Sequence, residues 1–186
     1  ETGPANQSYW NKATTENPVN YTFLVYNKGP DNIAKVVISW EDDGFKPCKF
    51  FYPLGWSSVY EPALKQITFE SPTREQDIVS EGPEAEFAIL FCSLPDAEGK
   101  YMFTVTTTDT KKEGDVNYVN SYIDKRPPIV TLVFPTEDAY VFDKGADVWI
   151  KAKVEEDASS PYPSGIREVH AIVEGSHYLM SYDPVN

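Results

Sequence analysis

The chain has 186 residues, of which 41% are hydrophobic and 14% aromatic, and 29 acids against 16 bases give a formal charge of −13. That length admits one large domain or two small ones, and the composition supports a packed core rather than disorder. The charge excludes a nucleic-acid backbone and an anionic membrane surface as partners, and without a run of 18 apolar residues no segment reads as a membrane-spanning helix.

Residues 1–18 are polar and rich in Asn, Thr and Pro, and read as an extended arm with Tyr9 and Trp10 as anchors. Period-2 alternation then begins. Tyr21, Phe23 and Val25 share one face of a strand, a dense turn follows at Lys28-Gly29-Pro30-Asp31-Asn32, and residues 33–40 form a β-branched second strand, so the two read as a hairpin. Asp42-Asp43-Gly44 is a turn, residues 48–52 a short strand, and residues 54–62 an irregular stretch carrying Trp56 and Tyr60. Residues 65–70 alternate with Ile67 and Phe69 inward, and residues 71–83 are a polar connection. Residues 84–91 begin by alternating and become apolar on both faces, as a strand in the middle of a sheet does. Residues 100–108 alternate most regularly, with Tyr101, Phe103 and Val105 on one side and Thr104, Thr106 and Thr108 on the other; a charged loop leads to a last strand at 116–123. About seven short strands with no helical period describe a β-sandwich.

Asp124-Lys125-Arg126-Pro127-Pro128 is the boundary candidate, because two prolines in series stiffen the chain and remove two donors. The division is an arm at 1–18, a sandwich at 19–124, a linker at 125–128 and a second sandwich at 129–186. In the second part, residues 129–134 are a strand. Residues 147–154 are another, with Val148, Ile150, Ala152 and Val154 on one side and Trp149, Lys151 and Lys153 on the other, and residues 166–173 and 178–182 pair across Gly175-Ser176. Four or five strands in 58 residues fall short of the seven that an immunoglobulin-like sandwich needs. The fold class is therefore all-β, two tandem immunoglobulin-like β-sandwich domains, the second lacking strands at its C-terminus. The shortfall is explained by a piece of a longer protein, by strand donation from a neighbouring molecule with residues 4–18 as donor, or by a smaller complete fold.

Cys48 and Cys92 can pair in only one way. Asn6-Gln7-Ser8 and Asn20-Tyr21-Thr22 satisfy the N-glycosylation pattern, and with many prolines and tyrosines they point to an exported protein in which the Cys48–Cys92 disulfide forms.

The run from Asn20 to Pro30 resembles the opening of adhesion-type β-sandwich repeats on archaeal and bacterial cell surfaces, and Gly55-Trp56, Ile67-Thr68-Phe69 and the run from Gly99 to Val105 match the same domain further on. Residues 127–135 resemble the start of a bacterial-type immunoglobulin-like repeat, and Ser164-Gly165-Ile166 with Val169, Ile172 and Val173 its middle hairpin. The resemblance implies a non-enzymatic structural or adhesion protein of the cell exterior, a surface-layer or filament building block whose partners are other copies of itself or neighbouring surface proteins. Its rivals are a carbohydrate- or protein-binding module and an accessory region of an exported hydrolase.

No phosphate loop, His-Glu-x-x-His or Cys-x-x-Cys occurs, and the two histidines, His170 and His177, read as surface groups on paired strands. Calcium is the cofactor candidate, at Glu155-Glu156-Asp157 with Asp183 beside it, and Asp42-Asp43 and Asp109/Asp115 are alternatives; the competing reading is solvated acidic loops. Trp149, facing outward, and the Trp56/Tyr60 stretch are the candidate stacking platforms, against core or rim packing for Trp40 and Trp56.

Overall fold

The computed structural model describes residues 8–9, 13–136, 145, 147, 149–161, 165–166 and 168–181. The chain divides into two compact units, Glu1–Lys125 and Arg126–Asn186.

The first unit is a β-sandwich. One sheet has the order β1-β9-β8-β3-β6-β5 and the other the order β2-β7-β4. Their strands are β1 (Ser8–Tyr9), β2 (Val19–Val25), β3 (Ile33–Trp40), β4 (Lys46–Phe51), β5 (Ser57–Glu61), β6 (Gln66–Glu70), β7 (Ala85–Ser93), β8 (Gly99–Asp109) and β9 (Gly114–Ile123). All pairings are antiparallel except β1 with β9, where Ser8 and Tyr9 lie beside Tyr122 and Ile123. The arm thus adds a parallel edge strand to its own sandwich.

Alternation fixes which side chains meet between the sheets. Tyr21, Phe23 and Val25 of β2, Phe87, Ile89 and Phe91 of β7, Val36, Ile38 and Trp40 of β3, and Phe103 and Val105 of β8 are all buried. The centre is a lattice of rings: Phe103 lies 5.1 Å from Tyr21, 5.1 Å from Phe45 and 6.0 Å from Phe91, centroid to centroid. Tilted and edge-to-face contacts of this kind add to the area buried. The Tyr21 hydroxyl crosses the core to the Ser121 hydroxyl, 2.7 Å away, so a phenol is held in an apolar interior without losing its hydrogen bond.

Two expectations are corrected. β2 and β3 are not a hairpin; β2 pairs with β7, and β3 with β6 and β8, in opposite sheets. Both strands carry a strongly apolar face, and the two faces meet across the core instead of lying side by side in one sheet. The stretch at 54–62, expected to be irregular, contains β5, which pairs with β6 through the left-handed residue Lys65 at φ 51°.

The crossover between β2 and β3 is organised by Asn27, which is buried. Its Nδ2 donates to the carbonyls of Asp31 and Ile78, at 2.9 Å each, and its Oδ1 accepts from the Gly29 N–H at 3.0 Å. Asn27→Ala therefore removes three hydrogen bonds to the backbone, although the Ile78 carbonyl keeps the Ile33 N–H at 3.0 Å. It is expected to cost about 2–3 kcal/mol, read as a lower denaturant midpoint with an unchanged slope.

Among the described residues the second unit holds two antiparallel strand pairs, β10 (Ile129–Phe134) with β11 (Lys151–Glu155) and β12 (His170–Val173) with β13 (Ser176–Leu179). β11 is shorter than expected: it starts at Lys151, so Trp149 precedes the strand, and Val148 lies outside the described residues. Gly175, at φ +81°, makes the β12–β13 turn, a conformation that costs glycine nothing.

Candidate functional site

The disulfide joins adjacent strands of the three-stranded sheet. Phe91 points into the core, so Cys92 lies on the sheet's outer face; Cys48 occupies a bulge in β4, where the register slips between Pro47 and Lys49. The Cys48 and Cys92 Cα atoms are 5.8 Å apart and the bond is formed. Asn20 is exposed at the start of β2, its Nδ2 3.3 Å from the Thr22 hydroxyl of its own triplet. Asn6 and Trp10 lie outside the described residues.

The acidic clusters are engaged locally. Asp157 Oδ1 accepts from the Ser159 hydroxyl at 2.6 Å and the Ser159 N–H at 2.8 Å, bonds that hold its carboxyl below the usual carboxylate range. Glu155 pairs with Lys153 at 2.8 Å. Asp109 accepts the Lys111 and Glu113 N–H groups, Asp115 that of Val116, and Asp42 that of Gly44, while Asp43 pairs with Lys65. Among the described residues no three His, Cys, Asp or Glu side chains gather as a metal site, so Glu155, Glu156 and Asp157 are placed as consecutive residues and not as a converging ligand set. Asp183 lies outside the described residues. His170 and His177 do sit on paired strands, with ring centroids 6.3 Å apart, and His170 Nε2 is 3.7 Å from Glu168 Oε2.

The aromatic candidates separate. Trp56 is buried, edge-on to Phe87 at 5.2 Å, and its indole N–H donates to the Gln76 carbonyl at 2.7 Å. Of the two readings of Trp56, stacking platform or core and rim packing, this burial and bonding fit the second. Tyr60 stacks on Trp40 at 6.1 Å and 17°, and burial raises its phenol above the ordinary range. Trp149 is 73% exposed.

Apolar side chains are exposed along the strands of the second unit. Ile129, Val130, Leu132 and Val133 of β10 are all about half exposed or more, so both faces of that strand meet water. Ile172, Tyr178 and Leu179 on the other hairpin are exposed too. The sequence places strands at 129–134, 166–173 and 178–182 without assigning either face of them to a core.

No family model matches this chain, and no curated protein matches it. Similar solved structures include a cohesin from Clostridium thermocellum in complex with a dockerin, 12% identical over 66% of this chain and 90% of that one, with a TM-score of 0.46. An uncharacterised protein of Nocardia farcinica with an immunoglobulin-like fold is 11% identical over 84% and 96%, with a TM-score of 0.43. A variant of the major pilin subunit of Bacillus cereus is 11% identical over all of this chain and 63% of that one, with a TM-score of 0.45. The all-β class rests on the strand pairing itself. No helix among the described residues is long and apolar enough to cross a membrane.

Proposed function

We propose that this chain is a non-enzymatic building block or adhesion module of the cell exterior, acting through protein contacts made by its strands. The observation that supports the reading is the exposure of β10, with Ile129, Val130, Leu132 and Val133 open to water on two faces, together with Ile172 and Leu179 of the second hairpin. Apolar strands with open edges recruit another polypeptide, because pairing satisfies the backbone and burial removes the apolar area from water. The disulfide fits an oxidising compartment, and a glycan on Asn20 would stand on an exposed strand end. The two units serve as successive modules with the partition near Lys125. Other copies of the chain or neighbouring surface proteins are the partners, in a surface layer or filament.

Light scattering tests this. The mass per particle should rise above the 21.0 kDa of one chain as concentration rises, and Leu132→Lys with Val130→Lys should return it to the single-chain value. A constant single-chain mass, in both proteins, contradicts the proposal. The second reading, a carbohydrate-binding module, draws on Trp149 at 73% exposure. It requires saturable glycan binding that Trp149→Ala removes.

A further inference from the structure

A groove of about 450 Å³ lies in the first unit where β4 ends and β7 begins. β4 pairs with β7 only as far as Phe51 opposite Ala88, after which the chain turns away through residues 52–56. The opening of β7, residues 85–87, keeps β2 on one side and has no strand on the other among the described residues. The facing wall is the segment 76–79. It is fixed by the reciprocal backbone bonds of Ile78 with Ile33, 3.0 Å each, and by the Trp56 indole on the Gln76 carbonyl. At Gly55, with φ +87°, a Cβ would come within 2.0 Å of Gln76 Nε2, so the turn and the wall are in close contact.

The lining is apolar and acidic. Tyr52, Val79 and Pro83 supply apolar surface, Glu84 and Glu86 stand exposed at the rim, and no Lys or Arg is among the lining residues. Asp77 also lines the groove. It is only 8% exposed, and its Oδ2 has no hydrogen-bond partner among the described residues. A buried carboxylate oxygen without a partner carries its full desolvation cost, which a cationic donor would offset. Apolar walls leading to three acids match a side chain with an aliphatic stem and a cationic head.

We propose that this groove is the receptor for a Lys or Arg side chain carried on an extended segment of a partner protein. The head group pairs with Asp77, the rim acids hold the same charge, and the segment's backbone runs beside the open edge of β7. The site is independent of the second unit's strands, so its failure leaves the assembly reading untouched.

The test is an amide NMR titration of the whole disulfide-bonded chain with two blocked pentapeptides, Thr-Val-Arg-Val-Thr and its counterpart with Gln in place of Arg. The Arg peptide should move the amides of residues 52–56, 76–79 and 84–87 and saturate with a Kd on the order of 1 mM; the Gln peptide should not saturate. Asp77→Asn should weaken binding at least about tenfold while its thermal midpoint stays at or above that of the parent. Should that variant fail to fold, Glu84→Gln with Glu86→Gln, both on exposed positions, carries the same test and should weaken binding about threefold. Equal shifts with both peptides, shifts scattered over the acidic surface, or binding indifferent to these substitutions would overturn the proposal.

Discussion

Phe103→Ala is expected to lower the stability of the first unit by about 3–5 kcal/mol, the largest effect of any single substitution considered. Phe103 sits on β8 with no exposed area, and its ring meets five others: Tyr21, Phe23, Trp40, Phe45 and Phe91. Those rings come from both sheets and from the turn before β4. Truncation therefore removes transfer energy, leaves a cavity walled by stiff aromatic groups that cannot collapse into it, and forfeits several ring contacts at once. Domains of this size are held by roughly 5–15 kcal/mol in total, so the variant should unfold at a midpoint about 12–20 °C lower. Tyr118→Ala is the control. Tyr118 is on the neighbouring strand β9 but 65% exposed, and its loss should register within about 0.5 kcal/mol. Similar losses for the two variants would show that the interior between the sheets is not where this unit's stability resides.

Removal of the disulfide is the second large effect. Cys48 and Cys92 are 44 residues apart in sequence, and in the chain-entropy model a closure of that length is worth roughly 3–4 kcal/mol. Its position adds a local consequence. β4 is an edge strand, carries Pro47 without an N–H to donate, and slips register on both sides of Pro47. The bond therefore secures the strand where its ladder is weakest. The double variant Cys48→Ser with Cys92→Ser should melt lower by roughly 10 °C or more, and hydrogen exchange should accelerate first in residues 46–51. Since the sulfurs lie toward the outer face, little core volume is lost and the effect should be that of the cross-link. A change under about 1 kcal/mol would mean that the unfolded chain is already restrained there.

How much of this was legible in the sequence depends on what each signal encodes. The alternation of Tyr101, Phe103 and Val105 named the buried face of β8, because side-chain period follows from the backbone alone. It could not name the partner strand. Tyr21, Phe23 and Val25 are as compatible with a hairpin to β3 as with the observed pairing to β7; the choice is made by contacts across the core and by the Asn27 hub, which no local pattern reveals. β5 escaped because Ser57, Ser58 and Glu61 give it no clean apolar alternation and Pro53 and Gly55 precede it, yet its ladder with β6 supplies what its own sequence does not. The cysteine pair was readable because two cysteines have one connectivity. Asp77 was not, since one acid among 29 looks like any other until its burial is seen. In the second unit the strands were anticipated, and their shortfall against a full sandwich already implied uncovered apolar surface; that β10 is exposed on both faces was not legible, because periodicity marks which side chains could be buried and not whether anything covers them.

Hydrogen–deuterium exchange of the intact chain at low and high concentration tests the central claim most directly, because it reads the strands themselves. If the open strands of the second unit make the contacts, amides in residues 129–134, 151–155, 170–173 and 176–179 should exchange more slowly as concentration rises, while those of β3, β7 and β8 stay unchanged. Exchange in the second unit that is identical at every concentration, with and without the double lysine substitution at Val130 and Leu132, would contradict it.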